Sequence, residues 1–374
     1  MVEVAGRLKA CLRKSDTVAR LGGDEFAAIT TDLKEGRAAA PLARKIIQAL
    51  KEKFIIQGHD VFIGGSVGIS IYPSDGQDME VLTKHADIAM YRAKEDGRGV
   101  FKFFEEETND GAEDRLLMES KLRNGLEHNE FVLHYQPKVN LESGKITGME
   151  SLVRWIPSDG KMVSPSLFIP LAEETGTILP LGDWILRQAC RDAAAWHKAG
   201  YPIQIAVNLS TIQLQQKKLV AQVSDILEET GLAPEALELE ITESMVMGNV
   251  AKSIEIMNKL KELGVAIAVD DFGTGYSSLN YLKQFPIDTL KIDRSFVCDL
   301  DTDAGDAAIV TAIISLGKAL NLKVVAEGVE TLEHLNILQD KKCQEIQGYY
   351  FSRPLPADQF EKLLTTDTTL KDIK

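Results

Sequence analysis

Seven stretches of the sequence read as β-strands with an acid, an amide or a lysine at or just beyond the C-terminal end. They are Gly148-Met149-Glu150, Ala206-Val207-Asn208, Leu239-Glu240, Ala268-Val269-Asp270-Asp271, Leu290-Lys291, Val325-Ala326-Glu327 and Ile346-Gln347. Acids gathered at one rim cannot all stay ionised unneutralised, so divalent cations are implied. A pair of Mg²⁺ or Mn²⁺ ions about 3.5–4 Å apart suits in-line displacement at phosphorus, activating water on one side and stabilising charge on the other. Oxygen donors without a cluster of Cys or His favour such hard ions over structural zinc, and the six histidines are dispersed as surface or packing residues. Asp270 and Asp271 can bridge or divide two cations, and the following Phe272-Gly273-Thr274-Gly275-Tyr276 has glycines that let a loop approach a ligand. Alone, the pair reads as a solvated turn after a core strand. Glu150, Glu240 and Glu327 at equivalent places on other strands turn that reading toward a shared rim.

Positioning such a rim requires a particular set of elements. Phe131–Tyr135, Ile203–Val207, Leu237–Ile241 and Val265–Val269 read as strands, alternating with helical patterns at Trp184–Ala199, Val250–Leu263 and Ala307–Leu320. Gly200, Gly264 and Asn321 follow those helices as stop signals. The alternation predicts a parallel sheet with crossover helices, and about eight strands would close it into a (β/α)8 barrel whose active site lies at the C-terminal mouth.

The chain of 374 residues accommodates two domains. Its net charge of −14 argues against a nucleic-acid polymer as partner, whereas a small anionic substrate is compatible with bound metal ions. Cys11, Cys190, Cys298 and Cys343 show no paired spacing and read as reduced thiols in the cytoplasm, in a soluble chain or in the cytoplasmic part of a longer membrane-tethered sensor. No apolar run reaches the roughly 18 residues of a membrane span, and Met1–Ala10 has no signal-peptide pattern. Composition shifts at the acidic stretch Glu105–Gly111, which divides a first unit, 1–104, from a second, 129–366. A linker helix over 105–128 joins them, and a tail over 367–374 ends the chain. In the first unit Val18–Leu21 and Phe26–Ile29 flank Gly22-Gly23-Asp24-Glu25 as a hairpin. A helix over Ala39–Lys53, strands near Val61–Ile63 and Ser66–Ile71, and a helix over Val81–Lys94 complete an α+β or α/β outline.

Across residues 129–366 the sequence resembles the EAL family of bacterial cyclic di-GMP phosphodiesterases. The resemblance rests on Tyr135-Gln136-Pro137, Glu150-Ser151-Leu152-Val153-Arg154-Trp155, Asn208-Leu209-Ser210 and Glu238 through Ser244. It continues through Asp270 to Leu279, Leu290-Lys291-Ile292-Asp293, Ala326 to Glu330 and Gln347-Gly348-Tyr349. It implies that Glu150, Asn208, Glu240 and Asp270 surround one metal, with Asp270 bridging to a second held also by Asp271 and Glu327. Lys291 would contact the attacking water, orienting it or helping to deprotonate it. Gln136, Leu152 and Arg154 would contact substrate, Gln347 would lie close to the metals, and Glu243 would brace the loop after Asp271. Ser151 stands where the family usually has alanine, a small-for-small change. The implied reaction converts cyclic di-GMP to linear pGpG, in dimers formed through the barrel.

The first unit resembles the GGDEF family of diguanylate cyclases through Arg20-Leu21-Gly22-Gly23-Asp24-Glu25-Phe26, Ser66 to Ser70, Asp87 to Lys94, and Gly97-Arg98. In that family Asp24 and Glu25 would hold metal, and Lys94 and Arg98 would contact a triphosphate, with GTP the ligand. Arg13 and Asp16, with five residues between Asp16 and Gly22, fit the family's inhibitory product site, where such a pair would bind a guanine edge and a phosphate. The family's opening strand, with a further metal-binding aspartate, and its guanine-recognising asparagine have no counterpart in Met1–Ala10. The resemblance therefore implies a partial, nucleotidyl-cyclase-like domain, a fragment or a naturally shortened one. It would lack cyclase activity and tight GTP binding, expose a sheet edge, and act as a regulatory module. Two alternatives stand beside the hydrolase: a non-catalytic receptor for cyclic di-GMP, and a bifunctional cyclase and phosphodiesterase if the full-length protein completes the first domain.

Overall fold

In the computed structural model the described residues are all but 1, 14, 23–24, 32–38, 52, 57–58, 62–63, 96–98, 105–108, 159, 275–281, 367 and 373–374. The chain divides into two compact units, Met1–Asp114 and Arg115–Lys374. The first contains α1 (Val2–Cys11), β1 (Thr17–Gly22), β2 (Glu25–Ile29), α2 (Ala40–Lys51), β3 (Phe54–Ile56), β4 (His59–Val61), β5 (Val67–Ile69), α3 (Met79–Glu95) and β6 (Phe101–Phe103). Its described strands form three two-stranded sheets: β1 with β2 and β3 with β4 antiparallel, β5 with β6 parallel. A small core of Val4, Leu8, Cys11, Ile46, Leu50 and Phe54 joins α1 to α2, with Phe26 and Val18 of the hairpin packed against it. At Gly68 a Cβ would stand 1.9 Å from the Ala86 carbonyl oxygen, so α3 lies directly on β5. Helix α4 (Asn109–Glu127) runs across the division between the units.

The second unit is an eight-stranded closed barrel. In order around it stand β7 (Phe131–Asn140), β8 (Ile146–Trp155), β9 (Gln204–Asn208), β10 (Leu237–Thr242), β11 (Ala266–Phe272), β12 (Thr289–Ile292), β13 (Lys323–Ala326) and β14 (Glu345–Ile346). Pairing of β14 with β7 at Val139 and Asn140 closes the ring, and β15 (Leu355–Pro356) pairs antiparallel with β7 at His134 and Tyr135. The expectation of a wholly parallel sheet needs correction: β7 is antiparallel to both neighbours, β8 and β14. The cause is local. Only residues 141–145 separate β7 from β8, with Gly144 at φ 71° and Asn140 Oδ1 accepting from the amides of Glu142 and Ser143. So short a connection makes a hairpin, because a parallel crossover needs about a dozen residues or more.

The helices follow the apolar periodicity: Val250–Glu262 starts where expected, and Ile178–Lys198 and Ala304–Leu320 start earlier. Asn321 ends the last in the left-handed region at φ 57°, and Gly200 and Gly264 take φ 97° and 93°. Their buried faces and the outward strand residues make the core between ring and helices. Each fully buried Leu or Ile there contributes about 1.5–3 kcal/mol. On β10 the alternation Leu237, Leu239, Ile241 against Glu238, Glu240 sends the apolar residues to that core and the two acids inward, where both are at most 1% exposed. The barrel interior is therefore lined by ions where apolar layers are usual.

Gly348, just beyond β14, shows how tightly the rim is built. A Cβ there would stand 2.1 Å from the Val329 carbonyl oxygen and 2.4 Å from its amide nitrogen, and main chain cannot step aside. Gly348→Ala is expected to lower stability by about 1–3 kcal/mol, as overpacking does. A urea midpoint equal to that of the unmodified chain would show that the strand end can shift freely.

Candidate active site

The eight strands bring their polar side chains to one end of the ring. Lys291, on β12 and wholly buried, places Nζ 2.7 Å from Glu240 Oε2, 3.0 Å from Asp270 Oδ2, 2.5 Å from Glu327 Oε1 and 3.5 Å from Glu150 Oε2. Asn208 Nδ2 donates to Glu150 Oε1 at 2.6 Å, and Gln347 Nε2 donates to Glu150 Oε2 at 2.5 Å and to Gln136 Oε1 at 3.0 Å. Gln136 in turn donates to the Ser352 carbonyl at 3.1 Å. Eight of the residues singled out from sequence thus form one contact network.

Local structure explains how each arrives there. Glu150 was expected at a strand end but lies mid-strand. Paired with the ten-residue β7, β8 runs on to Trp155, while its parallel partner β9 stops at Asn208. Gln136 and Glu150 are register partners across that antiparallel pair, and Leu152 and Arg154 follow Glu150 on the same face of β8 by the two-residue period. Arg154 donates to the Val153 carbonyl at 2.9 Å and lies in the field of Glu150 and Tyr349. Ser151, facing the other way, satisfies its hydroxyl on the Ala206 carbonyl at 2.9 Å. Glu327 and Gln347 stand one residue past the ends of β13 and β14.

Adjacent residues of a strand normally face opposite sides, and a bulge resolves this for Asp270 and Asp271. Val269 pairs with Leu290 and Phe272 with Ile292, so the two aspartates oppose Lys291 alone. Asp271 takes φ 54°, a left-handed conformation that Asp tolerates better than most residues, and its amide donates to Asp270 Oδ1 at 2.9 Å. Its carboxyl bonds that of Asp293, which follows β12; burial, Asp270 and Asp293 push it up to about 6. Glu243 Oε2 accepts from the Gly273 amide at 3.2 Å, a contact to the loop after Asp271. Residues 275–281 of that loop, Tyr276 among them, lie outside the described residues.

Electrostatics at the rim are crowded. Burial opposes the charge on Lys291, yet Asp270, Glu150, Glu240 and Glu327 together push its ammonium well up. Burial, with Asp270, Glu150 and Glu240 alongside, pushes Glu327 well up against the opposing pull of Lys291. Among the described residues no trio of His, Cys, Asp or Glu already surrounds an ion position. The donor set nonetheless fits hard divalent ions: four carboxylates converge on one ammonium, an amide joins them, and the buried Gln347 Oε1 has no hydrogen-bond partner.

Sequence reasoning missed a second layer. Lys138 Nζ lies 2.6 Å from Glu238 Oε1 and 2.7 Å from Glu240 Oε1, and Thr289 Oγ1 donates to Glu238 Oε2 at 2.7 Å. Burial opposes ionisation of Glu238, but Lys138 and the Thr289 hydroxyl hold its carboxyl down at about 2. The inward alternation of Glu238 and Glu240 was a usable signal for that pair; nothing in the local sequence marks Lys138 as its partner.

In the first unit Gly22 pairs with Glu25 and Arg20 with Phe26 as the hairpin requires, while Gly23 and Asp24 lie outside the described residues, as does Arg98. Asp16 Oδ2 accepts from the backbone amide of Arg13 at 2.7 Å. The contact described between them is a turn bond.

The EAL domain profile matches residues 119–354, and that of the diguanylate cyclase GGDEF domain matches residues 1–100. The chain is 45% identical over 360 residues to the bifunctional diguanylate cyclase/cyclic di-GMP phosphodiesterase MucR of Pseudomonas aeruginosa, covering 96% of this chain and 52% of that protein. It is 44% identical over 361 residues to the signaling protein YkoW of Bacillus subtilis, covering 96% and 45%. The chain thus spans about half the length of the curated relatives it matches. Among solved structures it is similar to the PaMucR phosphodiesterase in complex with c-di-GMP, with a TM-score of 0.64 and 46% identity over 65% of this chain and 99% of that one.

Proposed function

The chain belongs to the EAL domain family, and on that premise we propose that its barrel is a metal-dependent phosphodiesterase that hydrolyses cyclic di-GMP to linear pGpG. The observation that carries this reading is the convergence of Glu150, Glu240, Asp270 and Glu327 on one point of the rim, each within 3.5 Å of Lys291 Nζ. A relative and a structural neighbour whose names specify cyclic di-GMP support the substrate.

Glu150, Asn208, Glu240 and Asp270 would hold one Mg²⁺ or Mn²⁺, and Asp270, Asp271 and Glu327 a second. Such ions supply an activated water and a counter-charge for the phosphoryl oxygens. A water oxygen bonds to phosphorus and gives up a proton to solvent, the bond from phosphorus to the 3′ oxygen breaks, and that oxygen takes a proton from solvent and leaves as a hydroxyl. Lys291 holds the acids together and donates toward the attacking oxygen. Gln136 and Gln347 orient Glu150, and Arg154 and Leu152 lie on its face toward the mouth, where a guanidinium can meet a phosphate.

Purified protein with Mn²⁺ or Mg²⁺ should convert cyclic di-GMP to pGpG, chelation should stop turnover, and either ion should restore it. Binding without cleavage across a range of both ions would instead make the chain a receptor. Glu243→Ala frees the Gly273 amide and is expected to raise the Mn²⁺ concentration for half-maximal activity by about tenfold, in the range typical of lost outer ligand supports. Unchanged metal dependence would show that Glu243 does not brace the site.

The cytoplasm suits Cys11, Cys190, Cys298 and Cys343, all free thiols. Among the described residues no helix is long and apolar enough to cross a membrane. Dimerisation through the barrel and a regulatory first unit that takes up GTP only weakly belong to the same proposal.

A further inference from the structure

Beneath the rim, Lys138 links two acids of one motif, Glu238 and Glu240. It lies on β7, two residues beyond Gln136, and reaches across the barrel to β10, three strands away. Its ammonium and both carboxylates are at most 3% exposed. Glu240 has each oxygen held by a different lysine: Oε2 by Lys291 at 2.7 Å and Oε1 by Lys138 at 2.7 Å. The two lysines differ in their remaining contacts. Lys291 is shared with Asp270, Glu327 and Glu150, so its grip on Glu240 changes when those acids take a cation. The other ion pair of Lys138 goes inward, to Glu238, whose second oxygen is already satisfied by Thr289.

Resting on the assignment of Glu240 as a metal ligand, we propose that Lys138 is a positioning residue that fixes the Glu240 carboxylate from below and so sets the affinity of the barrel for its divalent ion. With Oε1 anchored, the carboxylate presents Oε2 toward the rim without rotating. Without Lys138, Glu240 can turn toward the interior and Glu238 loses its counter-charge. Lys138 lies below the acids that face the mouth, so its effect runs through ion occupancy and not through contact with substrate.

The alternative role for Lys138 is to offset the buried charge of Glu238 and nothing more. Two variants separate the roles: Lys138→Met, and the double variant Lys138→Met with Glu238→Met. The double variant removes both members of an ion pair, a replacement that buried sites usually tolerate, so it keeps the test usable if the single variant fails to fold. Mn²⁺ affinity is read by calorimetry on the full chain without substrate, beside the melting temperature of the metal-free protein. Both variants are expected to bind Mn²⁺ roughly 10- to 100-fold more weakly, with kcat recovering at saturating Mn²⁺ and KM for cyclic di-GMP unchanged. Wild-type affinity in the double variant would overturn the inference, leaving Lys138 as a counter-charge for Glu238. Glu240→Ala serves as the reference. If it binds Mn²⁺ like the wild type, the metal assignment itself fails; if it binds weakly while the double variant does not, only the role of Lys138 falls.

Discussion

Glu150→Ala is expected to lower the proposed turnover of cyclic di-GMP by roughly 10³-fold or more, about 4 kcal/mol of transition-state stabilisation, while the barrel stays folded. Glu150 is the acid on which most of the rim is oriented, accepting from Asn208 at 2.6 Å and Gln347 at 2.5 Å and facing Lys291 at 3.5 Å. Removing it takes away a proposed metal ligand and frees both amides at once. Its effect on the metal-free fold is small because two changes oppose. The exposed Asn208 loses an acceptor at little cost, the buried Gln347 loses one at up to about 1–3 kcal/mol, and the remaining acids lose a like charge from their midst. Product analysis after incubation with Mn²⁺ measures the first effect, and thermal melting the second. Turnover within tenfold of wild type, in a folded protein, would remove Glu150 from the chemistry and with it the metal arrangement proposed above.

Lys291→Met is expected to have the largest effect on the metal-free protein. The substitution deletes the ammonium on which four carboxylates converge at 2.5–3.5 Å, and leaves Glu240, at 0% exposure, with Lys138 as its remaining cation. Breaking a buried ionic cluster by removing one partner costs about 3–5 kcal/mol, or a fall of about 10 °C in melting temperature for a domain of this size. Divalent ions should then recover much of the loss, since they restore positive charge among the same oxygens. The metal-induced rise in melting temperature should therefore be larger in the variant than in the wild type, although turnover is lost. An unchanged melting temperature without metal would mean that the acids are not ionised around Lys291, and the electrostatic account of the rim would fall.

Both predictions concern residues legible in the sequence. The two-residue alternation of Leu237–Thr242 and the acids repeated after apolar runs point to one face and one end of a barrel before any contact is known. The motifs from Glu150 to Gln347 assigned the family, and the same eight strands now bring Glu150, Asn208, Glu240, Asp270, Lys291, Glu327, Gln136 and Gln347 into one network.

Periodicity, however, encodes which face a side chain takes and not which partner it meets. The antiparallel course of β7 depended on a short turn that apolar patterning does not register, and it is this course that sets Gln136 beside Glu150. The joint placing of Asp270 and Asp271 required a bulge opposite Lys291 and a left-handed residue at φ 54°. The grip of Lys138 on Glu238 and Glu240 joins positions 100 and 102 residues apart across the barrel. The sequence by itself determined the types of donor, the faces they occupy and the family. Closure of the ring decided which of them touch, because a barrel brings together strands whose separation along the chain carries no local trace.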